Sequence, residues 1–349
     1  MAVHPARVDD LPGWRRDPTG AAAGAQPRRS PAAVVARVRP AAALRLVNAG
    51  IAVYAVASVA LVATHRVGLT SEHVILLVLV AAGLVPRLRV VVRDWVPFLF
   101  IAVMFEDLGA LQPLVAGSVH AAGPAILERR VLGVDAAPWL QAHLGGLVGA
   151  VWWQLPLVGE YLVHFLAPLL AGGWLWWRHR ARFEGYVAAY TLVMALGFAG
   201  YLLYPEMPPW LAAQHGLVPP VGRVVVSVLD HLGGFGALYS GADPFPNGAM
   251  PSLHVAVPMV IALTMMAGQR RRISRLWLLY PLTISFAVVD LGEHYVSDVV
   301  AGLALGAGCW AVVEMVSRLA ARRASVSAAA TFAPSPPRTC EGHRGPFEA

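Results

Sequence analysis

Residues 251–298 read PSLHVAVPMVIALTMMAG (251–268), QRRRISR (269–275), LWLLYPLTISFAVVDL (276–291) and GEHYVSD (292–298). Two apolar runs flank a turn carrying Arg270, Arg271, Arg272 and Arg275, and each run has a histidine motif at its far end. The pattern reads as one span inward, a basic turn on the inner side and one span outward. Such a hairpin returns the chain to the membrane face it left. His254 and His294, 40 positions apart, therefore meet by topology.

The rest of the chain supports a membrane setting. Of 349 residues, 57% are hydrophobic and 13% charged, about half the charged share of a soluble chain. Mean hydropathy is +0.60. A soluble protein of this size needs far more polar surface, so an ordinary soluble enzyme is excluded. A span takes about 20 apolar residues, and runs of that order recur at 46–64, 74–92, 95–117, 155–177, 186–204, 252–268, 276–291 and 297–313. The fold expected is all-α and polytopic, with about eight transmembrane helices. The segment 74–92 spans only if Arg87 and Arg89 snorkel from its end. Residues 1–43, rich in Ala, Pro, Gly and Arg, predict a disordered basic tail, and 318–349 a second one. Between them, 44–117 holds the N-terminal transmembrane helices and 118–317 the core.

The basic residues orient this body. All 27 are arginines, and the net charge is +7 with a pI of 9.9. With a cytoplasmic N-terminus, 23 of them fall in the inner segments 1–45, 86–94, 178–184, 269–275 and 318–349. Only Arg66, Arg129, Arg130 and Arg223 lie outside. The positive-inside rule then puts both termini in the cytoplasm, in a cell membrane that the GC-rich composition suggests is bacterial. The charge is thereby explained without a nucleic-acid partner. Two long outer loops remain, 118–154 and 205–251, and loops of that length usually have a function. Cys309 and Cys340 have neither metal nor disulfide spacing, and no cofactor motif is present.

The two histidine motifs carry the chemistry. His294 and Asp298 are four apart, which on a helix places their Cβ atoms about 5–6 Å apart on one face. A carboxylate there holds one imidazole nitrogen as N–H and leaves the other free as nucleophile or base. Pro251 suits a helix start, and Ser252 with the first-turn amides would face an anion outside the helix. Two histidines, an orienting carboxylate and an anion cradle are what phosphoryl transfer through a histidine intermediate requires. The phosphate also needs positive charge, for which Arg223 is the candidate. Arg223, Ser252 and Asn247 are the expected phosphate-binding residues, with Tyr204, Glu293, Glu106 and Asp107 as supporting groups. Glu106, Asp107, Glu160 and His164 lie inside spans, where an ionisable residue serves either function or interhelical pairing.

At this point a resemblance enters. Pro-Ser-Leu-His at 251–254 with His-x-x-x-Asp at 294–298 resembles the type 2 phosphatidic acid phosphatase and haloperoxidase superfamily. The inositol phosphorylceramide synthase-like branch is the more similar, through Gly292–Val299, through Tyr204-Pro205-Glu206-Met207-Pro208-Pro209, and through Leu132-Gly133 and Pro138–Gln141 in the first outer loop. The resemblance covers about 120–317. It implies a phosphatidic acid phosphatase-like helical core in which His294 attacks phosphorus, Asp298 stabilises it, and His254 protonates the leaving oxygen before activating water or an alcohol. No metal is implied. The wider superfamily's Lys and Arg-Pro motif and its Ser-Arg opening are missing, since the chain has no lysine and Val289-Asp290 precede the last motif.

The expected activity is thus a phosphatase or phosphotransferase acting on a lipid phosphate ester or diphosphate at the outer face, with membrane lipids and a polyol or other alcohol acceptor as partners. Hydrolysis and headgroup transfer both fit. The competing reading is a transporter or proton relay, against which stand the lack of an inverted repeat and the clustering of ionisable groups at one face. A lapsed membrane scaffold would not need all three catalytic residues.

Overall fold

A computed structural model of the chain describes residues 85–114, 119–145, 151–241, 245–269 and 271–331, with scattered positions between 49 and 82. The expected tail at 1–43, parts of the expected spans at 46–64 and 74–92, and residues 332–349 lie outside the described residues. The described part is helical, with two isolated bridges in place of any sheet. In chain order the α-helices are α1 (Arg89–Leu111), α2 (Gly123–Leu132), α3 (Ala136–Leu140), α4 (Val151–Val163), α5 (Ala167–Arg178), α6 (Arg180–Leu203), α7 (Pro209–Gln214), α8 (Val224–His231), α9 (Gly236–Gly241), α10 (Leu253–Met266), α11 (Leu279–Asp290) and α12 (Val296–Thr331).

Helix α10 is the axis of the fold. Ten of its 14 residues are buried, among them Val255, Ala256, Val260 and Ile261, and α6, α11 and α12 pack around it. A helix apolar on every face belongs at the centre of a helical body. Its contact with α12 is backbone against backbone. A Cβ at Gly302 or Gly306 would overlap the carbonyl oxygen of Ser252 or Ala256, so these two small residues, one turn apart, let the helices meet closely.

The count of about eight spans does not hold. Among the described residues, three helices are long and apolar enough to cross a membrane: Arg180–Leu203, Arg272–Asp290 and Val296–Val326. The number is four if Trp153–Val163 and Ala167–Arg178, bent by 57°, form one broken span. The segment 252–268 misled because an apolar run reports burial, whether in protein or in lipid. Its helix has 14 residues, about 21 Å at 1.5 Å per residue, short of a hydrocarbon core of about 30 Å. Within 95–117, the apolar residues of α1 likewise face protein: Phe98, Phe100, Ile101 and Met104 join the core around α6. At its other end α12 runs on to Thr331, through residues read as the start of the C-terminal tail.

Asp94, fully buried in α1, ties the opposite end of this body together. It accepts from Arg93 at 3.0 Å, from the Trp176 indole of α5 at 3.1 Å and from Arg180 of α6. A buried carboxylate needs such partners.

Loops assemble the site end. Parallel bridges join His120 to Glu206 and Glu206 to Gly248, so these loop segments are stitched by backbone bonds such as Glu206 N–H to Asn247 C=O at 2.8 Å and His120 N–H to Pro205 C=O at 2.8 Å.

Candidate active site

The hairpin delivers its two histidines to one place. Their ring centroids are 5.7 Å apart, at the polar end of a cavity of about 550 Å³. Arg223, Glu293, Tyr161 and Tyr239 complete that end, and Phe98, Ile101, Phe105, Met194 and Phe198 line the body.

His294 stands in the turn between α11 and α12, whose first residue is Val296. The turn is held by backbone bonds from Glu293 N–H and His294 N–H to Val288 C=O, both 3.1 Å. Gly292 adopts φ +79°, and a Cβ on it would meet the Gly222 carbonyl at 2.7 Å, so conformation and space both call for glycine. Asp298, fully buried in the first turn of α12, places Oδ2 3.5 Å from His294 Nδ1. The same oxygen accepts from Tyr295 N–H at 2.8 Å, and Oδ1 accepts from the Ser297 hydroxyl at 3.2 Å. The approach is at ion-pair range, and Nδ1 makes no hydrogen bond among the described residues.

Three residues outside the motifs hold this turn. Glu128 of α2 accepts from Val296 N–H at 2.9 Å and Ala136 N–H at 2.8 Å, which meets an orphan donor at the start of α12 and another at the start of α3. Gln141 donates to the carbonyls of Gly222 (3.0 Å) and Asp290 (2.8 Å) and accepts from Gly222 N–H (2.9 Å), clamping the loop before Arg223 onto the end of α11. Glu206 is fully buried beside Asp298. Burial and the neighbouring Asp298 carboxylate push its pKa up to about 10, so Glu206 keeps its proton at neutral pH. Glu128 carried no signal of its own in the sequence, and Gln141 stood only as the last residue of the Pro138–Gln141 stretch. Glu206 was visible only as one letter of the Tyr204–Pro209 motif.

His254 has different surroundings. It stacks on Tyr161 (centroids 4.1 Å, 14°), touches His164 at 4.4 Å and meets Phe165 edge-on at 6.1 Å. Neither ring nitrogen has a hydrogen-bond partner among the described residues. His164 reaches it because α4 ends at Val163 and the chain bends before α5. Glu160 instead bonds Thr283 of α11.

Arg223 forms a fork to Glu293, with Nε to Oε1 at 2.9 Å and Nη2 to Oε2 at 3.4 Å. It lies 4.2 Å over the Trp210 ring and 5.1 Å from that of Tyr239. Burial opposes its charge, but Glu293 more than offsets this and keeps the guanidinium protonated. Arg223 and Glu293 are thus both at the site.

Other expected residues are elsewhere. Ser252 sits at the N-cap position of α10 with its hydroxyl buried and making no cap bond; its backbone N–H donates to Asp298 C=O at 3.1 Å, which joins the two motifs. Asn247 works through its backbone in the loop bridge, with Oδ1 buried. Tyr204 stacks on His120 at 3.8 Å. None of these three, nor the buried Asp107, is part of the cavity wall. The Glu106 side chain lies outside the described residues. Among the described residues no group of three His, Cys, Asp or Glu could hold a metal ion.

Fold and site define a class: helical, membrane-associated proteins that bring two motif histidines and a carboxylate together at one end of an apolar cavity. The chain belongs to the PAP2 superfamily, whose family model matches residues 127–312, and so to proteins with phosphatase or phosphotransferase chemistry. It is similar to the phosphoinositol dihydroceramide synthase of Bacteroides thetaiotaomicron, 26% identical over 271 residues that cover 71% of this chain and 85% of that protein. No solved structure matches it.

Proposed function

We propose that the protein transfers a phosphoryl or phospho-headgroup from a lipid phosphate, through a phosphohistidine, at the outer membrane face. The observation that carries this reading is the histidine pair at 5.7 Å, with Asp298 behind His294, at the mouth of an apolar cavity able to take a lipid chain. In the first step the Nε2 lone pair of His294 forms an N–P bond as the P–O ester bond breaks, and the leaving oxygen takes a proton from His254. In the second, His254 takes the proton of water or an alcohol, whose oxygen forms the new P–O bond as N–P breaks. Arg223 stabilises charge on the phosphoryl oxygens. The arginine distribution supports the outer-face placement, with both termini cytoplasmic.

Water as acceptor makes the protein a phosphatase, an alcohol a transferase. The similarity to a synthase named for phosphoinositol and dihydroceramide favours transfer of a phospho-polyol headgroup to a lipid alcohol. The test is a lipid-phosphate panel given to purified full-length protein, with and without inositol, reading free phosphate and new lipid. Turnover that His294→Ala and His254→Ala abolish while membrane expression persists is the expected result; unchanged turnover in His294→Ala overturns the mechanism. A periplasmic reporter fused after Tyr204 tests the orientation, and a cytoplasmic signal contradicts it.

A further inference from the structure

A second cavity, of about 370 Å³, lies behind the first. The two share Trp210, Arg223 and Pro246, so the partition between them is the guanidinium of Arg223 and the indole 4.2 Å beneath it. Their linings differ in kind. Beyond the partition the wall is Gln214 of α7, Val226 and Ser227 of α8 and Ser240 of α9, which gives one amide and two hydroxyls in place of the aromatic rings of the main cavity. Among the described residues no carboxylate lines it. At the partition itself the Trp210 Nε1–H is buried and has no acceptor among the described residues. Neutral groups that both donate and accept, with a spare indole N–H, suit a ligand carrying several hydroxyls and no charge of its own.

Resting on the phosphoryl-transfer reading above, we infer that this groove binds the polyol attached to the phosphorus. With phosphorus between His294 and Arg223, the lipid substituent lies in the apolar cavity and the hydroxyl-rich substituent lies across Arg223, among Gln214, Ser227 and Ser240. The polyol then stays in place while the lipid alkoxide leaves and the acceptor oxygen arrives, since the bonds that break and form are the N–P bond to His294 and the P–O bond on the apolar side. The same chemistry would also take a free polyol as acceptor, and the two sources are separable.

The experiment uses full-length protein and the variants Gln214→Leu and Ser240→Ala, with phosphatidylinositol and phosphatidic acid as substrates and short-chain phosphatidylinositol as a binding probe read by thermal stabilisation. Loss of one or two hydrogen bonds predicts that the phosphatidylinositol to phosphatidic acid ratio of kcat/KM falls about tenfold in Gln214→Leu and less in Ser240→Ala, mostly through KM. Probe binding weakens in parallel. In a third arm, free inositol is titrated into the phosphatidic acid reaction; a shift confined to inositol saturation identifies the groove as the acceptor's. Variants that leave the ratio, inositol saturation and probe binding at parent values overturn the inference. Probe binding that weakens in the variants, while the parent turns over neither lipid, upholds the groove and refutes the catalytic reading alone.

Discussion

The two histidines of the site are held in opposite ways. The turn of His294 is wired from behind: Asp298 faces Nδ1 at 3.5 Å without a hydrogen bond, Tyr295 N–H and the Ser297 hydroxyl fix Asp298, Glu128 caps the helix that follows, and Gly292 permits the turn. His254 is wedged among Tyr161, His164 and Phe165, and neither of its nitrogens is tied to a neighbour among the described residues. The difference matches two demands of the proposed chemistry. A nucleophile needs one tautomer and one direction of attack. An acid–base group must give up and regain a proton every cycle, and a permanent partner on either nitrogen would hold it in one state.

Variants can break that contrast, and the largest effect is expected at the histidines themselves. His294→Ala should lower turnover by about 10⁴-fold or more even on an aryl phosphate, whose leaving group needs no acid. His254→Ala should still form the phosphoenzyme on that aryl phosphate and fail to resolve it, so acid-labile labelled protein accumulates; a variant that never labels contradicts the division of roles. Asp298→Asn should cost on the order of 10³-fold in kcat with little change in KM, because the imidazole loses the carboxylate charge that would stabilise it as it becomes positive. A purely structural Asp298 would show up in thermal stability instead. Tyr161→Leu removes the stacking face of His254 and should cost about tenfold in kcat, as the steady-state rate reports. The smallest change is at Glu206. Its folded pKa, raised from 4.5 to about 10, means that folding retains a proton across that window, so the fold loses stability as pH rises through it. Glu206→Gln should flatten the fall of Tm between pH 5 and 9, by about 2–4 °C for each kcal/mol involved. A slope identical to the parent's refutes the retained proton.

The histidine pair was legible because a hairpin brings both apolar-run ends to one face, and because rare residue types at set spacings mark its motifs. Arg223 and Glu293 were named from the sequence, though not their mutual pairing. The bonds by which other residues support His294 were hidden. Gln141 acts on backbone groups 81 and 149 positions away, and Glu128 on one 168 positions away, distances over which local spacing carries no signal. Ser252 was read through its hydroxyl, whereas its N–H makes the contact that counts. The i, i+4 spacing of Glu160 and His164 assumed a continuous helix; α4 stops between them, and each goes to a different neighbour. The number of spans was overstated for a related reason, since core and lipid select the same apolar letters.

The Gly302–Gly306 contact between α10 and α12 makes the separation of the two histidines a property of main-chain atoms in van der Waals touch, with no side chain between them to trim or enlarge. Neighbouring cavity walls can therefore diversify without resetting that spacing. Divergence toward new substrates would be recorded in Gln214, Ser227 and Ser240 or in the apolar lining, while the reaction geometry stays in register with the glycine seam.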